Sequence, residues 1–284
     1  MARTSKNIAA SVRQQLRNHA KENEQDFNVV LVAYGLERLI YRLSISGYRN
    51  RYVLKGGMLV THWTVDSGRF TRDVDFLAFG DEDKATLIRE FSEILAIGAT
   101  DGLVFDTAEI TAAPIRDDQV YGGMRLRTTA NLDGARIPIT IDLGFGDALG
   151  DPDFEVDYGS LLNMPGAKIR AYSPATVMAE KFQAIVALGA VNSRMKDYYD
   201  LYAIPRAISV TGGDLKAAIE ATFAQRQTDI PATAPPGLTE AFFGDLAKQT
   251  QWAAYSEATE ISEMSLKQVS QDIWNRLKPI CEKP

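Results

Sequence analysis

Apolar positions near the N-terminus recur at helical spacing. Between Phe27 and Leu43, the residues Leu31, Tyr34, Leu36, Leu39, Ile40 and Leu43 fall close to one helical face, and Ile8 to Lys21 is similarly amphipathic. Two helices are predicted there, ended by Gly47 and the polar run Tyr48-Arg-Asn-Arg51. Tyr52-Val-Leu54 then leads into a Gly56-Gly57 turn, Met58 to Trp63 returns to helical character, and Ser67-Gly68 signals a loop. From Phe70 to Phe79 the period drops to two. A strand is predicted, with Asp73 and Asp75 on one face and Val74, Phe76 and Ala78 on the other. Lys84 to Ile97 reads as a helix. Gly123 to Leu132 and Ala135 to Phe145 read as strands joined by Asp133-Gly134, a strong hairpin signal. In the second strand Ile137, Ile139 and Ile141 alternate with Thr140 and Asp142, which keeps Asp142 off the main apolar stripe.

After Ser173-Pro174 the pattern becomes helical, because Ser is a good N-cap and Pro fits the first helical position. Gly189 is the expected stop. Further helices are predicted over Arg194 to Ile204, ended by Pro205, over Leu238 to Ala258, and over Leu266 to Leu277; the Pro-rich stretch Asp229 to Pro236 is a loop. The fold expected is an α/β (α+β) protein. Residues 1–170 would form a mixed-sheet core with N-terminal helices, and residues 171–284 a C-terminal helical domain.

Composition is that of a soluble globular protein, 45% hydrophobic and 24% charged over 284 residues. No apolar run approaches the roughly 20 residues that span a bilayer, and Met1 to Lys6 lacks the apolar stretch of a signal peptide. The single cysteine, Cys281, excludes an internal disulfide framework, so a cytoplasmic location is expected. The net charge of −6 speaks against indiscriminate binding to nucleic acid, yet residues 1–55 carry ten Lys/Arg against four Asp/Glu. That basic segment could receive a polyanion; two amphipathic helices with solvated basic faces would look the same.

The chemistry sits in the carboxylates. Glycines let backbone amides approach an anion, and a helix N-terminus favours phosphate. Two aspartates on one strand and a third on a neighbour can bridge divalent cations against a nucleotide, the requirement of nucleotidyl transfer. Asp73, Asp75 and Asp142 meet it on paper. Competing sites are poor: the two histidines, His19 and His62, lie on separate predicted helices, and no G-x-x-x-x-G-K-[ST] loop is present.

Val53-Leu-Lys-Gly-Gly57, Thr71-Arg-Asp-Val-Asp-Phe76, Ile141-Asp142, Glu180-Lys-Phe-Gln-Ala184 and Arg194-Met-Lys-Asp-Tyr-Tyr-Asp-Leu201 together resemble the AbiEii family of nucleotidyltransferase toxins, within the DNA polymerase β-like superfamily. The resemblance implies that Gly56 and Gly57 present amides to a triphosphate, where the superfamily usually has Gly-Ser. Thr71 could add a hydroxyl. Asp73 and Asp75 would hold Mg²⁺ or Mn²⁺, with Asp142 as third ligand and as the group that helps the acceptor hydroxyl lose its proton. Lys181 would bind the β- and γ-phosphates, while Glu180, about 100° away on the helix, would anchor structure. Asp197 and Asp200 share a helix face with Lys196, and Asp200 is the functional candidate, orienting Lys181 or the base.

By that resemblance the chain is an NTP-dependent nucleotidyltransferase releasing pyrophosphate, the toxin of a toxin–antitoxin pair. Its acceptor would be RNA, the tRNA 3′ end in some relatives, and its antitoxin a separately encoded protein that need not touch it. The alternatives are transfer to a protein or small-molecule hydroxyl, and a catalytically inactive binding module on the same fold. The intact set Asp73, Asp75, Asp142 and Lys181 argues against the latter. Replacing Asp73 or Lys181 by alanine is expected to remove transfer without unfolding the chain.

Overall fold

Two helices lead into the sheet. In the computed structural model, which describes residues 5–64, 66, 68–115, 122–147, 149 and 151–282, they are α1 (Ser5–Glu22) and α2 (Phe27–Ser44). Arg3, where the basic segment begins, and Ser67 of the expected loop lie outside the described residues. Asp26 starts α2 by accepting hydrogen bonds from the backbone N–H groups of Asn28 and Val29. Along α2 the apolar stripe is buried as its spacing predicts, with Tyr34, Leu36, Leu39, Ile40 and Leu43 fully inaccessible. The helix packs on strands of the core.

The chain forms two compact units. The first comprises residues 1–62, 70–146 and 153–171. After α2 it contains β1 (Tyr52–Lys55), α3 (Gly57–Thr64, which runs past the unit's edge), β2 (Val74–Ala78) and α4 (Lys84–Leu95). Then come β3 (Val104–Phe105), β4 (Thr111–Ile115), β5 (Gly123–Leu132), β6 (Ala135–Phe145), β7 (Glu155–Tyr158) and β8 (Ala167–Arg170). Six strands form a mixed sheet in the order β1-β2-β6-β5-β3, with β4 also pairing β5. Among the described strands β2 and β6 pair in parallel; β7 and β8 form a separate two-stranded ribbon. At the hairpin tip Asp133 and Gly134 both adopt positive φ, 49° and 81°, as a two-residue turn matched to strand twist requires.

Under the sheet lies a buried charged cluster. Arg42 grips both oxygens of Asp101 at 2.6 and 3.1 Å, and Arg38 Nε reaches the same carboxylate at 3.2 Å. Glu37 accepts from Ser160 Oγ at 2.6 Å and from the Leu161 N–H at 2.7 Å. Burial raises the Glu37 pKa despite those donors. Asp101 goes the other way: burial would push it up, but Arg42 and Arg38 outweigh that and hold it below the ordinary range.

The second unit comprises residues 63–69, 147–152 and 172–284. Its helices are α5 (Pro174–Leu188), α6 (Met195–Ala207), α7 (Gly212–Gln225), α8 (Glu240–Phe243), α9 (Leu246–Ser256) and α10 (Leu266–Cys281). Ser173 caps α5 and Gly189 ends it at φ +52°, as the sequence predicts. Three expectations differ from what is seen. Pro205 lies inside α6, which continues to Ala207. The long helix expected over Leu238 to Ala258 is broken at Gly244, where Asp245 caps a new helix by accepting from the Lys248 N–H. The strand expected from Phe70 begins only at Val74.

Candidate active site

The parallel pairing of β2 with β6 puts Asp75 directly beside Asp142, and parallel register partners point to the same face of a sheet. Asp73 precedes the strand, in a bend rather than on the extended run expected from sequence. Its carboxylate accepts a 2.7 Å hydrogen bond from Thr71 Oγ1, so that hydroxyl serves the aspartate. All three carboxylates are half-buried.

Gly56 ends β1 at φ +70°, and its position is tightly constrained. A Cβ there would lie 2.1 Å from Asp75 Oδ2 and 2.9 Å from Asp75 Cβ. The first glycine of the pair is therefore needed both for its left-handed backbone and for the room it leaves the Asp75 carboxylate. Gly57 opens α3.

Asp142 has a partner that the sequence reading passed over. Arg125 on β5 is its register neighbour, and the guanidinium donates to both oxygens, from Nε at 2.7 Å and from Nη2 at 2.5 Å. Its hydrogen bonds to Asp142, then the charges of Asp142, Asp73 and Asp75, raise the Arg125 pKa against the cost of desolvation. The signal was present in the sequence. With Leu132 facing Ala135 across the Asp133-Gly134 turn, seven residues back along one strand and seven forward along the other brings Arg125 opposite Asp142.

Oxygen donors of this kind suit a hard divalent cation. Yet among the described residues no group of three or more His, Cys, Asp or Glu is arranged to hold a metal ion. Asp142, the expected third ligand, is bonded to Arg125 instead. The donor chemistry fits the cation, and the charge already beside it is a guanidinium. His62 takes no part: it stacks on Tyr158 at 4.8 Å, and burial lowers its pKa.

The remaining expected residues belong to the helical unit. Lys181 on α5 bridges Asp197 and Asp200 of α6, at 2.8 and 2.6 Å. Asp200 has no exposed surface and also receives Arg69, from Nε at 2.6 Å and from Nη2 at 2.8 Å. Burial alone would lower the Lys181 pKa, but Asp197 and Asp200 raise it, keeping the ammonium charged. Asp200, pushed up by burial, is brought below the ordinary carboxylate range by Lys181 and Arg69. Arg69 carried no signal by itself, since its partner lies 131 residues away. Glu180 is a structural anchor, accepting from Arg226 Nη2 at 2.7 Å. In the basic N-terminal segment, Arg13, Arg38, Arg42, Arg49 and Arg51 all enter ion pairs within the first unit, which reduces the positive charge available to a polyanion.

Residues 38–275 match the model of a family described as "Nucleotidyl transferase AbiEii toxin, Type IV TA system". Among solved structures the chain is similar to MenT4, a nucleotidyltransferase toxin from Mycobacterium tuberculosis, at 16% identity and TM-score 0.51, covering 95% of this chain and 99% of that one. It is also similar to a candidate nucleotidyltransferase from H. pylori, at 14% identity and TM-score 0.50, covering 88% and 94%. At such identities the likeness is one of fold. No curated protein matches the chain significantly.

Proposed function

Since this chain belongs to the AbiEii family of nucleotidyltransferase toxins and is a nucleotidyltransferase of a toxin–antitoxin system, we propose that it transfers a nucleotide from an NTP to an RNA hydroxyl, with the tRNA 3′ end as the acceptor. Residues 1–170 serve as the catalytic core and residues 171–284 as the helical domain. The acceptor oxygen bonds to the α-phosphorus, the bond to the β-phosphate oxygen breaks, and pyrophosphate leaves. Asp73, Asp75 and Asp142 would hold Mg²⁺ or Mn²⁺, which would supply Lewis-acid stabilisation of charge at the reacting phosphate.

The chain's own groups divide the remaining work. Asp142 takes the acceptor proton, which requires at least one of its oxygens to be released by Arg125. Thr71 orients Asp73, and the amides of Gly56 and Gly57 face the triphosphate. Lys181 stabilises the departing pyrophosphate as a point charge. Asp200, itself held by Arg69, positions Lys181. An antitoxin encoded separately controls the enzyme.

The observation that carries this reading is the register of Asp75 against Asp142, with Asp73 two residues upstream. The test is incubation of the protein with each labelled NTP, Mg²⁺ and either total tRNA or protein lysate. Label in tRNA is the expected result. Label in protein alone would replace the RNA acceptor by a protein hydroxyl, and no label with any acceptor would leave a binding module.

A further inference from the structure

Asp75 and Asp142 are register neighbours on parallel strands with Asp73 just upstream, and like charges so placed repel one another, which a protein must offset. Here the offset is built into the sheet. Arg125 reaches Asp142 across the β5–β6 ladder and donates to both of its oxygens, so the carboxylate expected to complete a cation site is already saturated by a cation of the chain itself. The fields of Asp73 and Asp75 also act on that guanidinium. Its side chain keeps 34% of its exposure, against 13% for Asp142, so the arginine can swing outward without unpacking the core.

We infer that Arg125 is the resident counter-ion of the carboxylate cluster and competes with the divalent cation for Asp142. Metal binding would then proceed by exchange: one Asp142 oxygen would pass to the ion, the other would be left for the acceptor proton, and Arg125 would turn out towards solvent. The exchange lowers affinity for metal in the absence of nucleotide. It also frees a guanidinium beside the place where the triphosphate's negative charge arrives. The inference rests on the reading of Asp73, Asp75 and Asp142 as the cation site.

Mn²⁺ binding to the metal-free protein, followed by electron paramagnetic resonance without nucleotide, separates the two ideas. Arg125→Gln is expected to bind Mn²⁺ about tenfold more tightly than the unaltered protein, because a neighbouring positive charge has gone. Arg125→Lys, which keeps the charge but loses the bidentate fork, should fall between them. In the unaltered protein, the Arg125 Nε–H resonance, assigned by its disappearance in Arg125→Lys, should shift when Mg²⁺ is added. Equal or weaker Mn²⁺ binding by Arg125→Gln, with binding still abolished by Asp73→Asn, would overturn the competition and leave the cation site standing. Mn²⁺ binding indifferent to Asp73→Asn, or absent from every form, would remove the cation site and the inference with it.

Discussion

Lys181 and Asp73 are both expected to be essential for transfer, but their surroundings separate what else their loss does. Asp73 is half-buried beside Thr71, so Asp73→Ala should abolish transfer while changing stability by under about 1 kcal/mol. Lys181 is the shared partner of two buried carboxylates, and Lys181→Ala leaves Asp197 and Asp200 with less positive charge. A cost of about 3 kcal/mol is expected, visible as a lower Tm in thermal unfolding. Both alanine variants are still expected to fold, Lys181→Ala with the smaller margin. Gly56→Ala tests the close approach to Asp75. With φ at +70° and the new Cβ 2.1 Å from Asp75 Oδ2, the carboxylate must move. Transfer should fall by about tenfold or more while circular dichroism stays native. At this scale the sequence offered candidate residues, and less often what surrounds them. A glycine before a helix reads as a phosphate cradle, and only the fold reveals the aspartate pressed against it. Arg69 stayed silent because an arginine gains meaning from its partner, and Asp200 lies 131 residues away, whereas Arg125 could have been found by counting back from the hairpin turn.

At the scale of elements, what could be read followed the strength of local rules. The β5–β6 hairpin, the capped start of α5 and the apolar stripe of α2 all lie where periodicity and turn chemistry place them. The edge strands β3 and β4 and the helix α7 were not anticipated. The edge strands are short, β4 contains Pro114, and α7 opens on Gly212 and Gly213, which read locally as a turn. The two aspartates of the motif straddle a boundary that alternation cannot resolve, since Asp73 lies in a bend and Asp75 in β2. The hairpin turn offers a clean test of register. Nothing stands within 4 Å of a Cβ built on Gly134, so the strain of Gly134→Ala comes from its φ of +81°. Denaturant unfolding should show a loss of about 1–2 kcal/mol. A register slip would separate Arg125 from Asp142, and the Nε–H resonance of Arg125 would report it.

Across the whole molecule, each unit buries an ion cluster, and both are sensitive to acid in the same direction. Asp101 in the first unit and Asp200 in the second have folded pKa values below the ordinary one. Their contribution is complete above the unfolded value of about 3.9 and is lost as pH falls through the lowered values. Tm should therefore drop steeply below about pH 4, and Asp101→Asn should lower Tm near neutrality while flattening that acid limb. Glu37 opposes this trend. Burial raises its pKa, so its ionisation costs stability as pH rises above about 4.3. The change of character near Ser173 suggested a division of the chain at residue 170, and most of the helical unit does follow that point. The excursions 63–69 and 147–152, which join the helical unit, were not legible in the sequence. They are fixed by pairings between distant residues, such as Asp66 with Tyr199 and Asp147 with Arg226.

The pairing of Arg69 with Asp200 also sets an order of events during synthesis. Arg69 leaves the ribosome 131 residues before its partner. Throughout that interval the Asp200 carboxylate that receives its guanidinium from two sides is not yet made, whatever the sheet has achieved. Although β1 and β6 can already hold β2, the turn that leads into the acidic motif gains its Asp200 anchor only once α6 has been translated, and a truncated product ending before Asp200 never gains it.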